Sequence, residues 1–237
     1  MKKILIVLTA SLFLSLAFSQ PCVIYINGIG CPYCAKVDPI LLDYALKGKV
    51  IVIEYEIYKK PENSQIALNY WQKYNVPSFS YGIPFVFFSS QEYLVGDAPI
   101  LQNLESYLLK YNESICLLLD GIKRFEEIDL NSLPGKPSVW YKDMIIVKGN
   151  TYLTNEIIKK FFEDLESIKN LLSESSEKCF EYSYGKKCFE KAYSFYDWKI
   201  YYLPINESSS NFSNYFTIIL LILIVIIAFV FYKKFKK

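Results

Sequence analysis

The 237-residue chain contains no histidine. This absence excludes histidine metal sites, histidine general bases and Ser-His-Asp triads, so the chemistry of the protein must rest on other side chains. The chain does contain six cysteines. What those cysteines can do depends on the compartment in which they lie, because disulfides persist outside the cytoplasm and are rare inside it.

The N-terminus has the pattern of a secretory signal. Two lysines follow Met1, an apolar stretch runs from Ile4 to Phe18, and Ala17 and Ser19 are small residues two positions apart. A basic start, a short apolar core and a small-residue cleavage site predict a signal peptide over residues 1–19. An uncleaved anchor is the alternative, although a stretch of 15 residues is short for a membrane span.

The C-terminus has the pattern of a membrane anchor. Residues 215–232 carry no charge and would extend about 27 Å as a helix, which is enough to cross the hydrocarbon core. The lysine-rich tail 233–237 follows at once and predicts a cytoplasmic C-terminus. A polar stalk at 206–214 precedes the predicted span. The sequence therefore predicts a single-pass protein of the cell membrane whose N-terminal part lies outside the cytoplasm.

The charge of the predicted external part argues against a nucleic-acid partner. Of the 26 basic residues, two belong to the signal and four to the tail, which leaves 20 against 24 acidic residues. A net charge of about −4 is the opposite of the basic surface that nucleic-acid binding requires.

The first hundred residues of the external part alternate between strand and helix patterns, which predicts the order β-α-β-α-β-β-α. The predicted strands cover 22–29, 49–58, 84–90 and 92–96. The predicted helices cover 35–47 and two segments that begin at Pro61 and Pro99.

Cys31 and Cys34 lie at the first junction between strand and helix, two residues apart. A cysteine at a helix start is close to unpaired backbone N–H groups and to the positive end of the helix dipole, and both favour the thiolate. Cys34, one turn further on, is placed to act as the resolving thiol. The spacing therefore predicts a reactive dithiol–disulfide pair.

The motif resembles those of the thioredoxin-like and glutaredoxin-like thiol–disulfide oxidoreductases. The segment Gly30-Cys-Pro-Tyr-Cys34 is similar to the glutaredoxin form, and Pro39 is similar to the proline that kinks the first helix of thioredoxins. The segment 82–88, Gly-Ile-Pro-Phe-Val-Phe-Phe, is similar to the one that carries the cis-proline of the family. The resemblance implies an α/β, thioredoxin-like fold over residues 20–111.

The same resemblance implies roles for particular residues. Cys31 and Cys34 would be catalytic, with no cofactor and no metal. Substrate positioning would fall to the two residues inside the motif and to two near the expected cis bond, namely Pro32, Tyr33, Ile83 and Pro84. Family members also carry a buried acid in the strand before the motif, and Val23–Gly28 has none, so the proton acceptor for Cys34 is unassigned.

Two other functions remain open for the Cys31–Cys34 pair. One is a non-catalytic surface or assembly module with a structural disulfide, and the other is a Cu(I) carrier that uses the two thiolates. Zinc is disfavoured, because it requires four ligands and the sequence has neither histidine nor a second Cys-x-x-Cys.

The other four cysteines, Cys22, Cys116, Cys179 and Cys188, allow three pairings. Cys179 and Cys188 flank a short segment with Gly185 as a turn residue, so we expect them to pair with each other. Cys22 would then pair with Cys116, and both bridges would be structural.

Residues 112–205 contain a partial repeat of the first half. The segment 135–149 matches 82–96 in length and in its Gly-x-Pro-x-Val opening, and an amphipathic helix follows each copy. This predicts a second, abbreviated thioredoxin-like unit over 112–205; the alternative is a coincidental hairpin and helix.

Together these patterns predict a membrane-anchored, extracytoplasmic thiol–disulfide oxidoreductase. Its partners would be protein disulfide or dithiol substrates and a redox partner that the sequence does not identify. The direction of electron flow stays open.

Overall fold

A computed structural model describes residues 20–203 of the chain. The predicted signal (1–19), stalk (206–214), membrane span (215–232) and tail (233–237) lie outside the described residues. Among residues 20–203, four α-helices form: α1 (Cys34–Leu46), α2 (Glu62–Lys73), α3 (Asp97–Lys110) and α4 (Asn155–Glu163).

Thirteen strands accompany these helices within residues 20–203, and most of the strands are short. The strands are β1 (Cys22–Asn27), β2 (Ile51–Glu56), β3 (Phe85–Phe87), β4 (Tyr93–Val95), β5 (Ile115–Leu118), β6 (Gly121–Arg124), β7 (Ser138–Tyr141), β8 (Met144–Val147), β9 (Ser173–Glu174), β10 (Cys179–Tyr182), β11 (Gly185–Cys188), β12 (Lys191–Phe195) and β13 (Trp198–Tyr202).

Nine of these strands form one mixed sheet in the order β4-β3-β1-β2-β7-β8-β13-β12-β9. Strands β1 and β2 are parallel neighbours, and every residue of both is buried. Such continuous burial is expected of strands that are covered on both faces, and their Val- and Ile-rich sequences fit it. The pairs β5–β6 and β10–β11 form separate two-stranded sheets.

The fold class predicted from the sequence is wrong. The chain is a mixed α/β structure in which strands from both halves share one sheet, so it is not a thioredoxin-like unit followed by a second, abbreviated unit. The joint is antiparallel pairing of Val52, Ile53 and Glu54 in β2 with β7. The free edge of the apolar strand β2 requires a partner, and local patterns do not reveal that the partner lies 84 to 88 residues further along the chain.

No helix within residues 20–203 is long and apolar enough to cross a membrane.

The local sequence patterns predicted the positions of individual helices and strands more accurately than they predicted the fold. Helix α1 begins at Cys34, one residue before the expected start, and contains Pro39. Helix α3 begins at Asp97 after Gly96, whose φ of 84° lies in the region that favours glycine, and Pro99 lies in its first turn. The second-half helix ends at Glu163 and is followed by a 3-10 helix, Leu165–Leu171.

The last third of the described chain is mainly β-structure, which the sequence patterns did not reveal. Strand β13 pairs with β8, and β12 pairs with β13, so this region extends the main sheet. Strands β10 and β11 form a hairpin with Cys179 opposite Cys188 and with Ser183 and Tyr184 at its tip. We refer to residues Cys179–Cys188 as the disulfide hairpin.

Candidate redox site at Cys31 and Cys34

Cys31 and Cys34 form a disulfide between β1 and α1, with their Cα atoms 5.2 Å apart. Cys31 lies three residues before the first residue of α1, and its carbonyl accepts the N–H of Ala35 at 3.1 Å. The Cys31 Sγ accepts the N–H of Cys34 at 3.1 Å. This sulfur therefore accepts one of the backbone amides at the helix start that have no partner within the helix.

The residues predicted to position a substrate differ in how far they are exposed. Pro32 and Tyr33 are exposed, and 57% of the Tyr33 surface is accessible. Ile83 is partly buried, Pro84 is buried, and the bond between them is cis. The Ile83 side chain lies close to the residue that follows β1, because a Cβ added to Gly28 would come within 2.9 Å of it.

Cys31 is less accessible than a free nucleophile would be. It is only 3% exposed, and Cys34 is fully buried. The tip of the disulfide hairpin lies against this motif, because the N–H of Gly30 donates to the Ser183 carbonyl at 2.6 Å. A residue 153 positions after Gly30 in the chain is thus in contact with the motif.

A buried carboxylate, Asp38, lies one helical turn after Cys34. Residues four apart lie on the same face of a helix, so the carboxylate and the cysteine share the inner face of α1. The Asp38 Oδ2 accepts the backbone N–H of Ser183 at 2.9 Å and also its hydroxyl. The Oδ1 accepts the Tyr25 hydroxyl and the Asn27 side-chain amide, the latter at 3.3 Å.

Burial and these hydrogen bonds have opposite effects on the pKa of Asp38. Burial raises the pKa of Asp38 above its usual range, and the hydrogen bonds from Ser183 and Tyr25 partly oppose that rise. A buried acid that holds its proton more tightly than usual is better suited than an ordinary aspartate to take up a proton.

A second buried acid, Glu54, is linked to Asp38 through Asn27. The Asn27 side-chain amide donates to Glu54 Oε1 at 2.8 Å as well as to Asp38, and Ser138 donates its hydroxyl to Glu54 Oε2. Burial raises the pKa of Glu54 to about 7. Glu54 also borders a cavity of about 380 Å³ whose lining includes Lys60 and Phe180.

The remaining cysteines form the two expected pairs, Cys22–Cys116 and Cys179–Cys188. Cys22 and Cys116 are both buried. Cys188 is exposed and Cys179 is partly buried. Within residues 20–203, no group of three or more acidic or cysteine side chains is arranged to hold a metal ion.

Comparisons with known proteins provide no relative. No protein-family model, curated protein or solved structure matches the chain. The resemblance to thiol–disulfide oxidoreductases therefore remains a prediction, and the function must be argued from the site.

Three residues at this site escaped the sequence analysis. Asp38 could have been found, because it follows Cys34 by four residues and precedes Leu41 by three, on the predicted apolar face of α1. The sequence gives a weaker indication of Glu54, which is an acid in the middle of a predicted apolar strand. It gives no indication of Ser183, because no local pattern connects that residue to the motif.

Proposed function

We propose that the protein is a thiol–disulfide oxidoreductase that acts outside the cytoplasm through Cys31 and Cys34. The observation that carries this proposal is the Cys31–Cys34 disulfide at the start of α1, with the Cys34 N–H directed at the Cys31 sulfur. An amide that faces the sulfur stabilises the negative charge of a thiolate, which is the form that attacks and leaves in disulfide exchange.

The oxidising half-reaction begins when a substrate thiolate attacks the Cys31 sulfur. The Cys31–Cys34 bond breaks, a mixed disulfide forms and Cys34 leaves as a thiolate. A second substrate thiolate then attacks the substrate sulfur of the mixed disulfide and releases Cys31. The substrate loses two electrons and two protons, and the pair becomes a dithiol; reduction of a substrate is the reverse course.

Asp38 is the proposed proton acceptor for Cys34. In the reducing direction the Cys34 thiol must lose its proton when it attacks the mixed disulfide. The Asp38 carboxylate shares the inner face of α1 with Cys34, and its raised pKa suits it to take up that proton. This assignment fills the role that the strand before the motif leaves empty.

Three disulfides within residues 20–203 support a location outside the cytoplasm. Reducing systems keep cytosolic thiols reduced, whereas secreted and surface proteins keep such bridges. The proposed substrates are therefore proteins of the same compartment that carry disulfides or dithiols, together with a redox partner that regenerates the pair.

A second function is favoured by one observation, the 3% exposure of Cys31. A covered disulfide is what a non-catalytic surface or assembly module would have. The two functions differ in whether the pair exchanges electrons with added thiols.

The deciding experiment measures the reduction potential of the Cys31–Cys34 pair in the full chain. Thiols are trapped at set dithiothreitol ratios and assigned by mass spectrometry, because the other two disulfides can titrate as well. A potential of about −270 mV would indicate a reductant and one of about −120 mV an oxidant.

The controls are Cys31→Ser and Cys34→Ser. We expect Cys31→Ser to abolish exchange and Cys34→Ser to accumulate mixed disulfide. A reduction potential below about −300 mV, together with no reaction of the pair with thiol reagents, would contradict catalysis and favour the structural module. Stoichiometric Cu(I) binding without exchange would instead identify a copper carrier.

A further inference from the structure

The disulfide hairpin reaches the redox site from the far end of the described chain. Ser183, at its tip, is 3% exposed, whereas its neighbour Tyr184 is 66% exposed. The tip therefore directs one residue into the site and the other into solvent. Ser183 lies 145 residues after Asp38 in the chain.

Three hydrogen bonds fasten the tip to the motif. The Ser183 carbonyl accepts the N–H of Gly30, the residue before Cys31, at 2.6 Å. The Ser183 N–H and hydroxyl both donate to Asp38. All three involve one residue of the hairpin, so a single local displacement would release them together.

The rest of the hairpin is held at its base and along one side. Phe180 packs against Trp140 of the central sheet, with ring centroids 6.0 Å apart, and against Tyr201 at 5.7 Å. The Cys179–Cys188 disulfide closes the end away from the tip. The anchored base and the polar attachment at the tip are what a hinged cover requires.

We propose that the disulfide hairpin is a gate on Cys31, closed by the hydrogen bonds of Ser183 with Gly30 and Asp38. A substrate protein reaches the Cys31 sulfur only after these bonds open. The gate regulates the redox pair. It rests on the proposed function, because control of access to Cys31 matters only if the pair reacts with substrates. The closed state accounts for a nucleophile that is 3% exposed.

The test uses the full chain with Cys34→Ser, in which Cys31 is a single thiol and the two other disulfides stay intact. The rate of Cys31 alkylation by iodoacetamide is measured in this parent and after adding Ser183→Ala. Loss of the hydroxyl bond to a charged carboxylate is expected to raise the alkylation rate about tenfold.

Two further variants separate a gate from general loosening of the structure. Ser183→Thr keeps the hydroxyl and is expected to return the rate to the parent value. Ser132→Ala removes a hydroxyl whose bond, to the Asp129 carbonyl, is local, and is expected to leave the rate unchanged. Hydrogen exchange of the Gly30 amide is expected to accelerate in Ser183→Ala in parallel with alkylation.

The base of the gate is tested with Cys179→Ser combined with Cys188→Ser in the same parent. Loss of the bridge is expected to raise alkylation as well. The gate would be overturned if hydrogen exchange of the Gly30 amide accelerated while the alkylation rate of Cys31 stayed at the parent value, both in Ser183→Ala and in the double cysteine variant. If alkylation accelerates but the reduced wild-type pair exchanges with no disulfide, the hairpin covers Cys31 but the proposed oxidoreductase function fails, and with it the regulatory role of the gate.

Discussion

At the scale of single residues, the site depends on carboxylates, because the chain has no histidine to move protons. Asp38 and Glu54 are both buried, and each has a raised pKa. Asn27 donates to both carboxylates from one side-chain amide. Protonation of one acid is therefore coupled to the other through a shared donor.

Replacing Asp38 by Asn removes the proposed proton acceptor for Cys34. We expect the mixed disulfide on Cys31 to resolve more slowly at pH 7, with the rate recovering as pH rises and hydroxide takes the proton. Stopped-flow measurement of substrate release across pH 6–9 checks this expectation. Ser183→Ala is the control, because it frees the hairpin but keeps the carboxylate. If both variants slow resolution equally, Asp38 acts through the hairpin and not as a proton acceptor.

Glu54→Gln should change how stability depends on pH. The pKa of Glu54 is raised from 4.5 to about 7, so the folded protein binds this proton more tightly than the unfolded chain. The free energy of unfolding therefore falls as pH rises from about 4.5 to 7, by on the order of 3 kcal/mol from this group. The variant lacks this loss, so its stability relative to wild type should rise between pH 5 and pH 8. Urea denaturation at both pH values measures the difference, and parallel profiles would contradict the shift.

At the scale of elements, the disulfide hairpin is the segment whose attachment decides access to the site. Its strands are only four residues each, and a two-stranded hairpin alone is marginally stable. The Cys179–Cys188 bridge and the burial of Phe180 compensate for this short length.

Phe180→Ala should detach the hairpin from the sheet. Loss of a buried phenylalanine costs about 3–5 kcal/mol in a core. We expect a cost near the lower end of that range, together with faster amide exchange along β10 and β11, as measured by urea denaturation and hydrogen exchange. The control is Tyr184→Ala at the exposed tip, where a change within about 0.5 kcal/mol is expected. Equal effects at the two positions would show that Phe180 is no anchor.

Elements with strong local signals could be predicted from the sequence, and those fixed by distant partners could not. Strand β1, helix α1 and both hairpins that open with Gly-x-Pro-x-Val lie close to their expected positions, because periodicity and turn residues specify them locally. The strands after residue 172 are short and carry few alternating apolar residues. Their pairing with β8 and with one another is set by contacts far along the chain.

At the site, too, residues with a local sequence signal could be predicted and residues brought in by distant contacts could not. Cys31, Cys34 and the cis bond before Pro84 follow from motif and spacing. The contact of Ser183 with the motif does not, because Ser183 meets Gly30 and Asp38 only through tertiary structure.

At the scale of the whole molecule, the shared sheet makes the two halves interdependent. Strand β7 covers the edge of β2, and the Cys22–Cys116 bridge ties β1 to the start of β5–β6 across 94 residues. A fragment that ends at residue 111 would lose both and would expose an apolar strand edge of the kind that promotes aggregation.

We therefore expect residues 20–111 alone not to fold. Far-UV circular dichroism and the dispersion of amide resonances, compared with those of the full chain, measure this directly. A fragment with a dispersed spectrum and a cooperative thermal transition would show that the first half is an independent domain after all.

The long separation between the motif and Ser183 also has a consequence for biosynthesis. At about 5–20 residues per second, a ribosome needs roughly 7 to 30 s to add the 145 residues between Asp38 and Ser183. During that interval the nascent chain presents Cys31 and Cys34 with no hairpin over them. The bond between them can thus be set by an external oxidant while the chain is being made, before the completed chain covers it.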